Sequence, residues 1–476
     1  MTRLTLLHLN DLHAYLEPHP ELFWQGGQPL TRQAGGLARI KAYFDDVRAE
    51  AEGAVVALDG GDTFHGTGPV VQTRGAFMPE LLNPLGLDGM TAHWDFGYGP
   101  DQLQHLTERL HYPLLACNVY GPAGDRLFPA TRLLDRGGLR VGVLGVASNL
   151  IEGMAPSWGT GALRVTDGRE EVRRLVPELR AAGADVVVLL SHLGFPQDCA
   201  LAGEVPGIDV ILSGHTHNRL DVPARVGRTL LTQGGCHGSF VTRLDLDVTP
   251  GDVQLRGHEL KAMTADLRED AVLARQVEEH LRPFRAAGEE VIGETRALLH
   301  RGTTLSAPAD QLLTDAVRHV ADAQIGLSNG WRYGAPIPAG PVTRQAAWNL
   351  VPHNPPVSTA DLTGAELWAL LEGSLKAVFA RDPWQQRGGY VKRMAGVTLA
   401  AKVENPAGHR LQWVDVGGER LDPARVYRVA YLTRQAVPPH TGRNHRDLPV
   451  RALDALERFL KQHGPYTPPA PNVLLT

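Results

Sequence analysis

The stretch that most restricts what this chain can fold into is Asp209-Val-Ile-Leu-Ser-Gly-His-Thr-His217. A short apolar run enters Gly214, and two histidines follow, two positions apart. A buried strand that ends in a glycine turn delivers both imidazoles at its carboxyl end. Imidazole is a common metal ligand, and the carboxyl ends of strands are where open α/β sheets hold their ligands. The competing reading is two histidines on a surface loop. It weakens with every further strand that ends in the same way.

Several do. Residues 4–9 run apolar into Asn10-Asp11-Leu12-His13. Ala54–Leu58 leads into Asp59-Gly-Gly-Asp62, and Met90–Thr91 into His93-Trp94-Asp95. Pro113–Cys117 stops at Asn118, and Asp185–Leu190 stops at Ser191-His192. Helical patterns fall between these runs, at about 37–52, 76–84, 101–110 and 168–183. Residues 17–36, which contain Pro and Gly, read as a polar loop. Apolar strands alternating with helices predict an α/β domain with a largely buried sheet and flanking helices. Residues 1–262 are expected to form it, with 263–290 as a connecting helix.

The expected second unit, 291–476, is α+β. It shows helical patterns near 309–322, 363–380 and 451–462, and strands near 324–327, 397–403 and 426–432. Thr363 with Glu366 three residues later reads as a capping box. The run Pro336–Pro341 reads as an extended loop.

Composition enters mainly by exclusion. The net charge is −5, so no basic field points to nucleic acid. The three cysteines form neither a CxxC nor a paired framework. No apolar run of about 18 residues marks a membrane span. Strand-like residues begin at once, with no secretory leader visible, so the chain as it stands reads as cytoplasmic.

The strand-end residues Asp11, His13, Asp62, His93, His192, His215 and His217 are two carboxylates and five imidazoles. A single metal takes three or four protein ligands. This set suits two metals if one carboxylate bridges, and Asp62, after a Gly-Gly that lets the backbone approach closely, is the candidate bridge. A two-metal site activates water and stabilises attacking and leaving oxygens. The mixed N/O donors suit two divalent ions and do not distinguish manganese, iron, zinc or cobalt. Asp59 and Asp95 read as supporting carboxylates that orient imidazoles. His8, inside a strand, and His19, between prolines, read as non-ligands.

Asp11-Leu-His13, Gly61-Asp62, Ser191-His192 and Gly214-His-Thr-His217 resemble the ordered motifs of the calcineurin-like metallophosphoesterases. Ser328-Asn-Gly-Trp-Arg332, Ile337–Thr343 and Leu362–Leu367 resemble the C-terminal domain of the 5'-nucleotidases. The resemblance implies one metal on Asp11, His13, Asp62 and His217, and the other on Asp62, His93, His192 and His215. It implies substrate bound between the domains with Arg332 reaching its anionic group, a task suited to a guanidinium. Arg344, Tyr390 and Arg393 are the further candidate substrate-binding residues.

One departure matters. The family's Gly-Asn-His-Glu motif falls at Ala92-His93-Trp94-Asp95. His93 can still bind metal, but Trp94 stands where the phosphatases have a histidine that assists the leaving group, and an indole cannot transfer that proton. Asp62, His93 and Trp94 are therefore the candidate catalytic positions. His93-Trp94 and Asp382–Gly389 are similar to the thiosulfohydrolases of bacterial sulfur oxidation, which release sulfate from a cysteine-linked carrier-protein adduct. Three readings follow. The first is a dimetal hydrolase of a phosphate ester such as a nucleotide. The second is a thiosulfohydrolase-like enzyme acting on an S-sulfonate. The third is a metal-binding protein without turnover.

Overall fold

The computed structural model describes residues 1–151, 163–351 and 353–476. The chain forms two units: Met1–His19 with Gln33–Pro283, and Pro20–Arg32 with Phe284–Thr476.

The first unit is mixed α/β and is built on two large sheets. One has five strands in the order Asp252–Ala262, Phe240–Thr249, Thr2–Leu9, Ala54–Asp59 and Gly89–Met90. The other has six, in the order Ala224–Val226, Thr229–Thr232, Val210–Ser213, Val186–Ser191, Leu139–Val146 and Thr131–Arg136. Strand Thr2–Leu9 shows why the sheets pair. Its Leu4 and Leu6 share one buried cluster with Val141, Val188 and Leu212 of the other sheet. Its Leu7 and Leu9 point the other way, into a cluster with Ile40 and Phe44 of the helix Leu37–Glu50. Alternation with period two thus fills both faces of a doubly buried sheet.

The strand directions set the position of the ligands. Thr2–Leu9 runs parallel to Ala54–Asp59, which runs parallel to Gly89–Met90. Val186–Ser191 runs parallel to both Leu139–Val146 and Val210–Ser213. In each sheet the carboxyl ends of these parallel strands, and the loops that follow them, therefore lie along a single edge.

Two expectations need correction. Residues 17–36 are not a loop: Pro18–Gln25 and Gln28–Gly35 pair as a hairpin. Pro18 and Pro20 disguise the first strand, and Gly26-Gly27, both at positive φ, form the two-residue turn that the twist of a hairpin favours. The segment 263–290 is not a free connector either. Helix Ala271–Leu281 buries Leu273, Val277 and Leu281 in the core of the first unit, so its apolar stripe belongs to that fold.

The second unit carries a five-stranded sheet, in the order Tyr390–Ala395, Ile325–Gly330, Val426–Tyr431, Pro356–Thr363 and Arg443–Arg451. Pro308–Val320, Gly364–Val378 and Ala452–His463 are its longer helices. Thr363 and Glu366 form the capping box, with Glu366 N–H to Thr363 Oγ1 at 3.2 Å and Thr363 N–H to Glu366 Oε2 at 2.7 Å. The run 336–341 is extended only in part, because Gly340–Thr343 pairs with Val291–Thr295.

His8 lies on the Leu4–Leu6 face of its strand, fully buried, and neither ring nitrogen has a hydrogen-bond partner among the described residues. Burial drives its pKa down to about 3, against the raising field of Asp11. Between about pH 3 and 6.5 the unfolded chain binds a proton here that the native chain refuses, so stability falls as pH drops through this window. The contribution is about 1.4 kcal/mol per pH unit. Urea unfolding of metal-free protein between pH 4 and 7 should show His8→Leu losing about one proton's worth of that slope. An unchanged slope would remove His8 from the account.

Candidate metal centre

The seven side chains read from the sequence come from the carboxyl ends of five strands, and the structure gathers them. Their ligand atoms fall into two groups: Asp11, His13, Asp62 and His217, and Asp62, His93, His192 and His215. Within each group all atoms lie within 4.8 Å of one another, and Asp62 belongs to both.

Asp62 divides its carboxylate. Oδ2 faces the imidazoles, 3.0 Å from His93 Nδ1, 3.2 Å from His192 Nε2 and 3.9 Å from His13 Nε2. Oδ1 is turned toward the loops, accepting the Trp94 backbone N–H at 2.7 Å. Asp11 Oδ1 lies 3.1 Å from His217 Nε2 and 3.7 Å from His192 Nε2. His13 Nε2 and His217 Nε2 are 3.1 Å apart.

The supporting contacts choose the free atom of at least one ring. His192 Nδ1 lies 2.5 Å from the Gly60 carbonyl and donates to it. Its Nε2 lone pair therefore faces Asp62 and Asp11, buried and without a directed hydrogen bond. That is the condition of a ligand atom suited to a cation, and with the N/O donor set it fits a pair of divalent ions. Metal-free, the electrostatics are severe. Burial pushes the Asp62 carboxyl up, but His93, His192 and His13 together hold it well below the usual carboxylate range. Burial lowers His192, yet Asp62 and Asp11 outweigh it and raise its pKa to about 10.

Loop geometry holds the groups in place. Asp11, His13, Asp62, His215 and His217 all have positive φ. Such a conformation is uncommon outside glycine, and where the surroundings enforce it, it concentrates at functional sites. Asp11 N–H donates to Gly61 O at 2.9 Å, and His13 N–H to Asp62 O at 2.7 Å. Asp95 accepts the N–H groups of Asp62, Thr63, Phe64 and His93, and Asp59 accepts that of Gly61. Gly214 is required by proximity, since a Cβ there would stand 2.8 Å from His192 Nδ1. Asn118 serves the backbone, bonding both the N–H and the C=O of Ala147.

Near the centre, the rings of His237 and His13 are 5.9 Å apart, and His237 donates its backbone N–H to Asp11 O at 2.7 Å. His19 lies outside both groups, its Nε2 3.1 Å from Ser239 Oγ. The Trp94 ring sits 5.7 Å from His65 and 6.0 Å from His93. Sequence reading passed over His65, which lies 3.1 Å from His13 and 3.2 Å from Asp62. Its signal was its place three residues after Asp62, in a turn rather than at a strand end.

In the second unit, the register Ser328↔Arg393 and Gly330↔Tyr390 sets the Ser328–Arg332 motif beside strand Tyr390–Ala395. Arg332 lies over the Tyr390 ring at 5.4 Å and donates to Gly389 O at 3.1 Å. Two of the candidate arginines are engaged with acids. Arg393 is buried on Asp310, Nε to Oδ2 at 3.0 Å, with Thr303 and Thr304 carbonyls taking its remaining donors. Arg344 is held by Glu290 and Glu457, each at 2.9 Å. Arg344 is charge-compensated within the fold, which argues against its receiving a substrate anion, whereas Asp310 also pairs with Arg301 Nε at 2.8 Å, so one carboxylate serves two buried guanidiniums and a positive charge remains.

Residues 291–433 match the model of the 5'-nucleotidase C-terminal domain. A probable 5'-nucleotidase of Treponema pallidum is 27% identical, over 97% of this chain and 92% of that protein. The chain is thus similar to 5'-nucleotidases over nearly its whole length, and over residues 291–433 to their C-terminal domain. Its class is therefore that of the metal-dependent hydrolases. Among solved structures similar to this chain, the sulfate thiohydrolase SoxB of Thermus thermophilus superposes with a TM-score of 0.90. The two are 28% identical, with 99% of this chain and 96% of that one covered. A 5'-nucleotidase precursor of the same organism gives 0.87 at 26% identity, covering 99% of each chain.

Because Asp62 is common to both groups, Asp62→Ala should cost both ions. Elemental analysis of this variant after loading with Mn²⁺ should find fewer than one ion per chain. Two retained ions would show that the carboxylate does not bridge.

Proposed function

We propose that this protein is a dinuclear metal hydrolase of an anionic ester, and first of a phosphate ester such as a nucleotide. The observation that carries the reading is the sharing of Asp62 Oδ2 between two groups of buried ligand atoms. Two divalent ions held there, manganese in the first instance, would supply a nucleophile near neutral pH and neutralise charge on attacking and leaving oxygens. The chain's own part is positional. Asp11, His13 and His217 hold one side, His93, His192 and His215 the other, and Asp62 fixes the spacing. The strained loops and the Asp59 and Asp95 carboxylates prevent relaxation before substrate arrives. In the second unit, Arg332 beside Tyr390 is the proposed anion and ring contact. Its guanidinium lies over an aromatic face, so the pair offers a positive charge and a stacking surface side by side. Arg344 has no part in this proposal, for the ion-pair reason given above, while Arg393, which shares Asp310 with Arg301 and lies 5.1 Å over the same Tyr390 ring, adds positive charge beside it.

A second reading rests on Trp94. Its backbone N–H serves Asp62, but its side chain can offer no proton to a departing alkoxide. A leaving group that needs no such help fits this pocket better. A thiolate or persulfide, as would leave from a cysteine-linked S-sulfonate, is of that kind. The partner would then be a carrier-protein thiol adduct rather than a nucleotide. No helix among the described residues is long and apolar enough to cross a membrane.

The Mn²⁺-loaded protein should be assayed against nucleoside monophosphates, an aryl phosphate, a cyclic nucleotide and a small S-sulfonate. Phosphate release alone selects the first reading, and sulfate release alone selects the second. Loaded protein that turns over none of them would return the chain to a metal-binding role. Trp94→His should raise phosphatase kcat by about 10²-fold or more, the scale of a positioned general acid. An unchanged rate would place the specificity elsewhere.

A further inference from the structure

His65 is buried at 1% exposure, three residues beyond Asp62. Its Nε2 stands 3.1 Å from His13 Nδ1 and 3.2 Å from Asp62 Oδ1. The rings of His65 and His13 meet edge to face, with centroids 4.8 Å apart and planes at 87°. His13 turns its other nitrogen, Nε2, toward His217 Nε2 at 3.1 Å, Asp11 Oδ1 at 3.8 Å and Asp62 Oδ2 at 3.9 Å. The two nitrogens of His13 therefore face different partners: the ligand group on one side and His65 on the other.

This division has a chemical consequence. A neutral imidazole that gives its Nε2 lone pair to a cation carries its proton on Nδ1. In a buried site that N–H needs an acceptor, because an unsatisfied donor costs about 1–3 kcal/mol. A neutral His65 with its own proton on Nδ1 offers the Nε2 lone pair at the right place. The opposite tautomer could give its Nε2 proton to Asp62 Oδ1, 3.2 Å away, but would set two N–H groups 3.1 Å apart when a metal occupies His13 Nε2. Ligand imidazoles generally depend on such a partner for tautomer and ring plane.

We propose that His65 is a positioning residue for the group Asp11, His13, Asp62 and His217: it accepts the Nδ1 proton of His13 and fixes that ring for metal binding. The proposal rests on the dinuclear reading above and adds an asymmetry to it. His65 touches His13, which belongs to one group alone, and the loop-facing oxygen of Asp62, which serves both, so its loss falls most heavily on the His13 side.

The test is calorimetric titration of Mn²⁺ into metal-free wild type, His65→Ala and His65→Gln, with thermal melting of each metal-free form. Wild type should bind two ions. His65→Ala should bind one ion with wild-type affinity and the other about 10–100-fold more weakly. His65→Gln, whose amide oxygen can accept the same proton, should restore most of the loss. A second measurement needs no variant: ¹⁵N spectra of the Zn²⁺-loaded wild type should show His65 protonated at Nδ1 and bare at Nε2. Both ions bound normally by His65→Ala, or a protonated His65 Nε2 in the loaded protein, would overturn the proposal. So would glutamine failing as badly as alanine in variants whose metal-free melting matches wild type. Fewer than two ions in wild type would instead sink the dinuclear reading itself.

Discussion

Everything in the first unit is arranged around two carboxylates that would be costly to bury alone. Asp11 and Asp62 are each at most 2% exposed, and five imidazoles surround them. A buried ion survives only with opposite charge and directed hydrogen bonds. Without metal, the balance is met by protonating a neighbour, which is why His192 is pushed up to about 10 while both carboxyls stay below their ordinary range. Divalent ions are the more effective answer, and they also convert the arrangement into chemistry. The left-handed backbone at five of the seven ligand positions costs on the order of 1–3 kcal/mol each. The strands from which these loops leave, and the hydrogen bonds of Asp59 and Asp95 to the loop N–H groups, offset it.

Much of this was legible in the residues. Strand-then-ligand runs such as Val210–His217 declare both an element and its use, since buried strands are short and apolar and their ends can carry polar groups only with a purpose. The contrast with His65 is physical. A ligand announces itself by its place at a strand end, whereas the residue behind a ligand is chosen by the three-dimensional fold, and its sequence neighbours carry no periodic signal. The hairpin at 18–35 was hidden for another reason. Its prolines and glycines are turn-formers in isolation, and only pairing makes them strands.

The second unit was legible as motifs but not as chemistry. The Ser328–Arg332 motif sets Arg332 ahead of Arg344 and Arg393 in the sequence, and their surroundings distinguish them further. Asp310 takes Arg393, Glu290 and Glu457 take Arg344, and Arg332 lies over Tyr390. Which acid takes which arginine is a long-range property: 83 positions separate Asp310 from Arg393, and 113 separate Arg344 from Glu457. Local pattern cannot read it. The same holds for Trp94. Its indole has no proton to deliver to a leaving oxygen, while its backbone N–H holds Asp62.

The central claim is that one carboxylate, Asp62, joins two metal positions. Anomalous diffraction from crystals grown with Mn²⁺ tests it most directly. The account predicts two anomalous peaks about 3.5–4 Å apart, one beside His13 and His217 and one beside His93, His192 and His215, with Asp62 ligating both. A single peak, or two peaks with Asp62 bound to only one, would contradict it.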